Sequence, residues 1–368
     1  MTALDSRAIG GIAALLLYCR AGFENECAKE VAQCMSSQET PGYIRSKPQA
    51  GYVEWVFHER VDSAQIDGQV RFRDFIFARQ LIRASSWVDG LPAGDRISVL
   101  LPVIASVGIK FSTVLLETAD TNEAKELSTF CRQFAKPLEQ SLRAAGLIEA
   151  SDATLPRLHL FFTGSARVCI GWSDPADSSP WPMGIPRLTM PRQAPSRSTL
   201  KLAEALQWFI GDYEDRNLLH EGNTAVDLGA APGGWTWQLV RRGLHVTAVD
   251  NGPISADLLA TGNVDHLRVD GFRYRPRHPV DWMVCDMVEQ PIRIATLIAD
   301  WLAQRHCTHS IFNLKLPMKK RYDEVIRCRD AMQQRWSEKR MRCELRFKHL
   351  YHDREEITGY VVRADRSR

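Results

Sequence analysis

The chain lacks any apolar stretch approaching the roughly 20 residues that a membrane helix needs. Its longest early run, Ile12 to Tyr18 behind Arg7, has no small-x-small cleavage pattern after it. Membrane insertion and secretion are therefore disfavoured. The nine cysteines are odd in number and scattered, without a C-x-x-C or zinc-ligand spacing, so neither a disulfide framework nor a metal site is expected. A reducing cytoplasm fits that usage. Net charge is only +3, from 47 Lys+Arg and 44 Asp+Glu, so any nucleic-acid partner has to be argued from local clusters. What the chain does have is core-forming material: 45% hydrophobic residues over 368 positions, enough for two or three domains.

Taken in order, Ile12–Tyr18 reads as a strand and 22–35 as a helix, with Phe23, Cys27, Val31 and Cys34 on one face; Tyr52–Phe57 is the next strand. A βαβ unit of this size begins many ferredoxin-like domains, placed here at 1–60. Over 61–172, aromatics alternate with cations around Arg71, Arg73 and Arg79. Ile97–Ser106 and Ser112–Glu117 read as strands, 123–145 as a long helix and Arg157–Trp172 as a hairpin. Residues 173–196 carry six prolines among serines and read as a linker or strap. From 197 to 368 helices and continuous apolar strands alternate, ending in a strand pair. This is the pattern of a Rossmann-like, mostly parallel sheet covered on both faces, with an antiparallel last strand.

The informative stretch is Thr224-Ala-Val-Asp-Leu-Gly-Ala-Ala-Pro-Gly-Gly-Trp235, a strand, a glycine turn and a helix start. Asp227 ends the strand, and Gly229, Ala231, Pro232, Gly233 and Gly234 form a loop whose glycines leave room for a ligand. The next strand ends at Asp250, about twenty residues on, where a ribose diol would sit. A dinucleotide and S-adenosylmethionine (SAM) both present such a diol. The glycine spacing departs from G-x-G-x-x-G, and Pro232 removes an N–H where a pyrophosphate would want one. SAM carries no phosphate.

The wording V-D-L-G-A-A-P-G-G-W resembles the first cofactor motif of FtsJ-type SAM-dependent ribose 2′-O-methyltransferases. That resemblance implies a class I methyltransferase fold and a Lys-Asp-Lys-Glu set that prepares the hydroxyl. Ser196-Arg-Ser-Thr-Leu-Lys201 resembles the S-R-x-x-x-K lead-in and supplies Lys201; Val284-Cys-Asp286-Met supplies Asp286, and Phe312-Asn-Leu-Lys315-Leu supplies Lys315. Arg354-Glu-Glu-Ile357 holds the fourth member, with Glu356 preferred to Glu355 because it directly precedes an apolar residue. Chemically, a lysine serves as base when a second cation and an apolar wall depress its pKa, while carboxylates hold the ammonium forms in place. Asp270 is expected near the adenine amino group, or as a turn former before Gly271. Ser198 is expected to cap a helix or touch the cofactor's methionine end. Two departures bear on the substrate wall: Val288 follows Asp286-Met where Ala-Pro is usual, and Leu316-Pro-Met follows Lys315 where an aromatic often stands.

No Pro-Pro-Tyr follows Asp286, which disfavours an amino-group acceptor, and no Pro-Cys follows that could attack a pyrimidine. A hydroxyl acceptor remains. Between Lys315 and Lys348 twelve Lys/Arg outnumber five Asp/Glu, a local excess suited to a phosphate backbone. RNA is the expected partner, with no DNA or membrane, and the small units ahead of the catalytic region resemble THUMP-type RNA-binding appendages. The whole arrangement is similar to bacterial 2′-O-ribose methyltransferases of large-subunit ribosomal RNA. It implies a cytidine in the peptidyl-transferase region of 23S rRNA, modified before the subunit is complete. The competing readings are a nicotinamide dehydrogenase, a methyltransferase acting on tRNA, and a non-catalytic assembly factor that only binds RNA.

Overall fold

A computed structural model describes residues 11–36, 38, 40–211 and 217–364; Arg7 lies outside them. Among the described residues no helix is long and apolar enough to cross a membrane. The chain forms two compact units, Met1–Pro186 and Arg187–Arg368.

The first unit is built on one sheet. Its strands are β1 (Ile12–Tyr18), β2 (Gly42–Ser46), β3 (Tyr52–Val61), β4 (Gln80–Asp89), β5 (Thr113–Thr118), β6 (Arg157–Gly164) and β7 (Arg167–Ser173). They run in the order β2-β3-β1-β4-β7-β6-β5, antiparallel except where β5 meets β6. α1 (Glu24–Met35) buries Cys27 and Val31, as their spacing requires. One expected strand, Ile97–Ser106, is a helix instead: all of it but Ser106, which caps the helix, lies in α2 (Arg96–Ala105). The Asp95 carboxylate accepts both the N–H and the hydroxyl of Ser98, and Leu100 and Ile104, one turn apart, are buried. The cap and the four-residue spacing outweigh the β-branched composition. α3 (Leu127–Ala144) covers β5.

The alternation around Arg71–Arg79 is mostly core. Phe72, Phe75, Phe77 and Arg79 are buried, and Arg79 pairs with Asp120 at 3.2 Å; Arg71 and Arg73 stay outside. The first half of the Pro-rich stretch is fastened to this unit, because the Gln80 side-chain amide bonds both the carbonyl and the N–H of Ser179 at 3.1 and 3.0 Å.

The second unit carries α4 (Thr199–Phe209), β8 (Thr224–Leu228), α5 (Gly234–Val240), β9 (His245–Val249), α6 (Ala256–Ala260), β10 (Val264–Leu267), β11 (Val280–Cys285), α7 (Pro291–Ala303), β12 (Cys307–Lys315), α8 (Arg321–Glu338), β13 (Cys343–Lys348) and β14 (Glu356–Arg363). The sheet order is β10-β9-β8-β11-β12-β14-β13. β10 to β12 are parallel, and β14 enters antiparallel to β12. This bears out the Rossmann-like expectation; the third of these strands, β10, ends at Leu267, three residues before Asp270. Leu202, Leu206, Leu239, Trp282 and Ile311 form the core between sheet and helices. The carboxyl ends of β8, β9, β11 and β12 lie along one edge, where ligands of such sheets sit.

Candidate functional site

Two strand ends, a strand start and a helix start bring four charges together on that edge. In the β12–β14 register Lys315 stands opposite Glu356; Asp286 follows the last residue of β11, the strand beside β12; Lys201 is in the first turn of α4. Lys315 Nζ donates to Asp286 Oδ1 at 2.6 Å and to Glu356 Oε2. Lys201 Nζ meets Asp286 Oδ2 at 3.4 Å and Glu356 Oε1. Each carboxylate thus offers one oxygen to each lysine, and charge alternates around a square whose side chains are between 8% and 24% exposed. Glu355 points away and pairs with Arg321 at 2.6 Å.

The corners are braced from behind. Buried Glu204, one turn after Lys201, accepts the N–H groups of Tyr351 and His352 and the His352 ring at 2.6 Å, tying α4 to the turn before β14. The Asn313 amide donates to Asp286 Oδ1 at 3.0 Å. Burial pulls the Lys315 pKa down, but Asp286 and Glu356 outweigh it and hold the ammonium above the ordinary lysine range. That is opposite to the depressed pKa expected of a resting base: the second cation is present, but two carboxylates face it.

The glycine loop is shaped as much by its neighbours as by room for a ligand. Gly229 and Gly233 have φ of +81° and +111°, a region other residues resist. A Cβ on Gly229 would stand 2.7 Å from Met287, one on Gly233 2.4 Å from Leu258, and one on Gly234 2.2 Å from the Ser198 hydroxyl. The Asp250 carboxylate accepts from Ala231 N–H at 3.0 Å and Gly252 N–H at 2.7 Å, latching Ala231 and Pro232 to the end of β9. Trp235 is buried in the core and donates to the Ser198 carbonyl. The Ser198 side chain makes no cap bond and pairs with Ser196 instead. Asp270 is exposed, accepts the Phe272 N–H and pairs with Arg273, which is turn chemistry.

Asp227 is buried; Oδ2 accepts from the Thr236 hydroxyl at 2.7 Å, while Oδ1 has no partner. Burial pushes its carboxyl up to about 7. An unfilled acceptor at the strand end suits a ligand that brings a donor or a positive charge, and Asp250 has lone pairs left beyond its two loop bonds. Both fit SAM, with its ammonium and its ribose diol.

Sequence reasoning missed Asn313, Thr358, Asp353 and Glu204. Period-two alternation was an available signal for the first two, since Asn313 and Thr358 are two residues from Lys315 and Glu356 on their strands.

This sheet, loop and charge square define a SAM-dependent methyltransferase domain, and the model of FtsJ-like methyltransferases matches residues 194–353. Two further models match the first unit: the RlmM ferredoxin-like domain over 12–82, and ribosomal RNA large subunit methyltransferase M, N-terminal, over 95–174. Relatives named ribosomal RNA large subunit methyltransferase M align nearly end to end. The protein from Methylococcus capsulatus is 52% identical, covering 94% of this chain and 97% of its own. Those from Thauera aminoaromatica and Pseudomonas aeruginosa PAO1 are 48% and 47% identical, with 95% and 96% of this chain and 96% and 99% of theirs covered. The chain belongs to the ribosomal RNA large subunit methyltransferase M family. It is accordingly an enzyme using SAM as methyl donor, and the dehydrogenase reading falls.

Proposed function

We propose that the protein methylates a ribose 2′-hydroxyl of 23S rRNA, a cytidine in the peptidyl-transferase region, in the cytoplasm and before large-subunit assembly is complete. The observation that carries this reading is the square of Lys201, Asp286, Lys315 and Glu356 at the carboxyl edge of the sheet. A hydroxyl acceptor needs a proton acceptor and alignment, and the square offers both. The relatives' names supply the ribosomal target.

When bound, SAM supplies an electrophilic methyl whose bond to sulfur breaks as a neutral thioether leaves. Asp227 and Asp250 would hold the donor's ammonium and ribose, beside the loop Gly229–Gly234. Lys201, braced by Glu204, keeps the two carboxylates apart and orients the incoming hydroxyl. The new bond forms from the ribose oxygen to the methyl carbon, and the hydroxyl proton passes to the Lys315 amine. Since Lys315 is held as ammonium, it has to lose a proton first, so the rate climbs with pH through the neutral and alkaline range.

Val288 and Met318, 88% and 91% exposed, follow Asp286 and Lys315 by two and three residues. On this reading they form an apolar rim against the base of the target nucleotide, which is single-stranded or flipped because an A-form helix cannot present its ribose to a recessed site. Phosphate contacts fall to the basic 315–348 stretch and to the first unit, acting like a THUMP-type appendage over 61–172.

The test is to incubate the protein with radiolabelled SAM and, separately, tRNA, naked 16S rRNA, naked 23S rRNA and mature large subunits, then map the label by resistance to alkaline hydrolysis. Label on a ribose of naked 23S rRNA is expected. Label confined to tRNA, or on a base, overturns the assignment.

A further inference from the structure

Behind the charge square, Asn313 and Thr358 stand opposite each other in the β12–β14 register, both fully buried. Asn313 Nδ2 donates to Asp286 Oδ1 at 3.0 Å, and the Thr358 hydroxyl lies 2.9 Å from Asn313 Oδ1. The same hydroxyl lies 3.1 and 3.0 Å from the two carboxyl oxygens of Asp353, itself fully buried. Counting hydrogens sets the direction of this chain. Because Asn313 gives its N–H to a carboxylate, its carbonyl oxygen faces Thr358 and needs a donor. The threonine hydroxyl has one hydrogen for three oxygens within 3.1 Å; given to Asp353 it leaves Asn313 Oδ1 facing a bare oxygen at 2.9 Å, and given to Asn313 it satisfies that carbonyl. The threonine oxygen then confronts two Asp353 oxygens at hydrogen-bonding distance, a repulsive contact unless Asp353 brings a hydrogen of its own.

We propose that Asp353 is carried as a neutral acid, and that Asp353, Thr358 and Asn313 form a one-way hydrogen-bond chain whose task is to orient the Asp286 carboxylate between Lys201 and Lys315. The three are positioning residues, and the inference rests on the role assigned to the square above. The electrostatics point the same way: burial first, then Glu356 and Glu204, raise the Asp353 carboxyl well above its ordinary range, with the Leu350 N–H and then Lys201 opposing. A neutral Asp353 adds no third negative charge beside Glu204 and Glu356. Every link is then satisfied, with acid to hydroxyl, hydroxyl to amide carbonyl and amide N–H to Asp286, while the Leu350 N–H donates to Asp353 Oδ2 at 3.1 Å.

The test uses the full-length protein with Thr358→Val, Thr358→Ser, Asp353→Ala and Asp353→Asn. Thr358→Val and Asp353→Ala are expected to lower kcat about tenfold with KM for SAM and RNA unchanged, and Thr358→Ser and Asp353→Asn to recover it to within about twofold. Asparagine mimics a neutral, donating acid and not a carboxylate. Independently of turnover, the infrared difference spectrum between wild type and Asp353→Asn at neutral pH should contain the C=O stretch of a protonated carboxyl. Wild-type kcat in Thr358→Val, an Asp353→Asn variant as damaged as Asp353→Ala, or no such band would each overturn the proposal. If Asp353→Ala does not fold, the threonine pair and the infrared band decide. A Lys315→Ala variant that still transfers methyl would sink the reading of the square while leaving the infrared result standing, so the two failures are distinguishable.

Discussion

In the first unit Glu117 accepts from the Tyr18 hydroxyl at 2.8 Å, from His159 Nδ1 at 2.7 Å and from the Met183 N–H, and His159 Nε2 meets the Ser173 hydroxyl at 2.8 Å. In the second unit Asp286 and Glu356 share two lysines. The Ser-His-Glu order of the first cluster is that of a hydrolytic triad, yet Tyr18, Glu117, His159 and Ser173 are at most 4% exposed. Every oxygen of Glu117 is taken. The second cluster is partly open, with an unfilled buried acceptor, Asp227 Oδ1, at the neighbouring strand end. The lesson is that residue types and hydrogen bonds do not separate a structural cluster from a reactive one. Access and unfilled valence do, because a substrate needs both a path and a partner.

The comparison breaks if the two clusters respond alike to substitution. Lys315→Ala should cut methyl transfer by about 10²- to 10⁴-fold with little change in unfolding midpoint, measured by label incorporation and urea melts. Glu117→Ala should do the reverse, costing the first unit about 3–5 kcal/mol by leaving His159 and Tyr18 buried without their acceptor, while SAM affinity holds. His159 and the two other donors outweigh the effect of burial and hold Glu117 below its ordinary 4.5. Its contribution is therefore present above that pH and lost as pH falls through the lower folded value; Glu117→Gln should flatten that acid limb.

Asp227 sharpens the contrast with the opposite sign. Its folded carboxyl, near 7, lies above the unfolded 3.8, so wild-type stability falls as pH rises between those values and is flat beyond. Asp227→Asn should gain on wild type over that window by on the order of 2–4 kcal/mol in urea melts and should bind SAM more weakly in calorimetry. A constant offset across pH would contradict the assignment. The smallest effect belongs to the rim: Val288→Ser with Met318→Ser should raise KM for RNA by a few-fold, roughly 1 kcal/mol, with kcat unaltered. An unchanged KM would remove those side chains from substrate contact.

The glycine motif, the order of strands and helices and the four spaced residues Lys201, Asp286, Lys315 and Glu356 were legible in the chain, because each is a local pattern of a few residues at an element boundary. Helix 96–105 was not, since a single Asp95 cap overruled its apolar composition. Nor was the burial of Arg79, which depends on Asp120 forty-one positions away. Local patterns in the chain point to a glycine loop and a set of charges. Which charges meet, and in which protonation state, depends on packing between distant segments. The β12–β14 register sets Lys315 against Glu356 and Asn313 against Thr358, and the burial of Asp353 and Asp227 arises from contacts between segments far apart in the chain. Desolvation and strand register are properties of packed surfaces, and no local pattern encodes them.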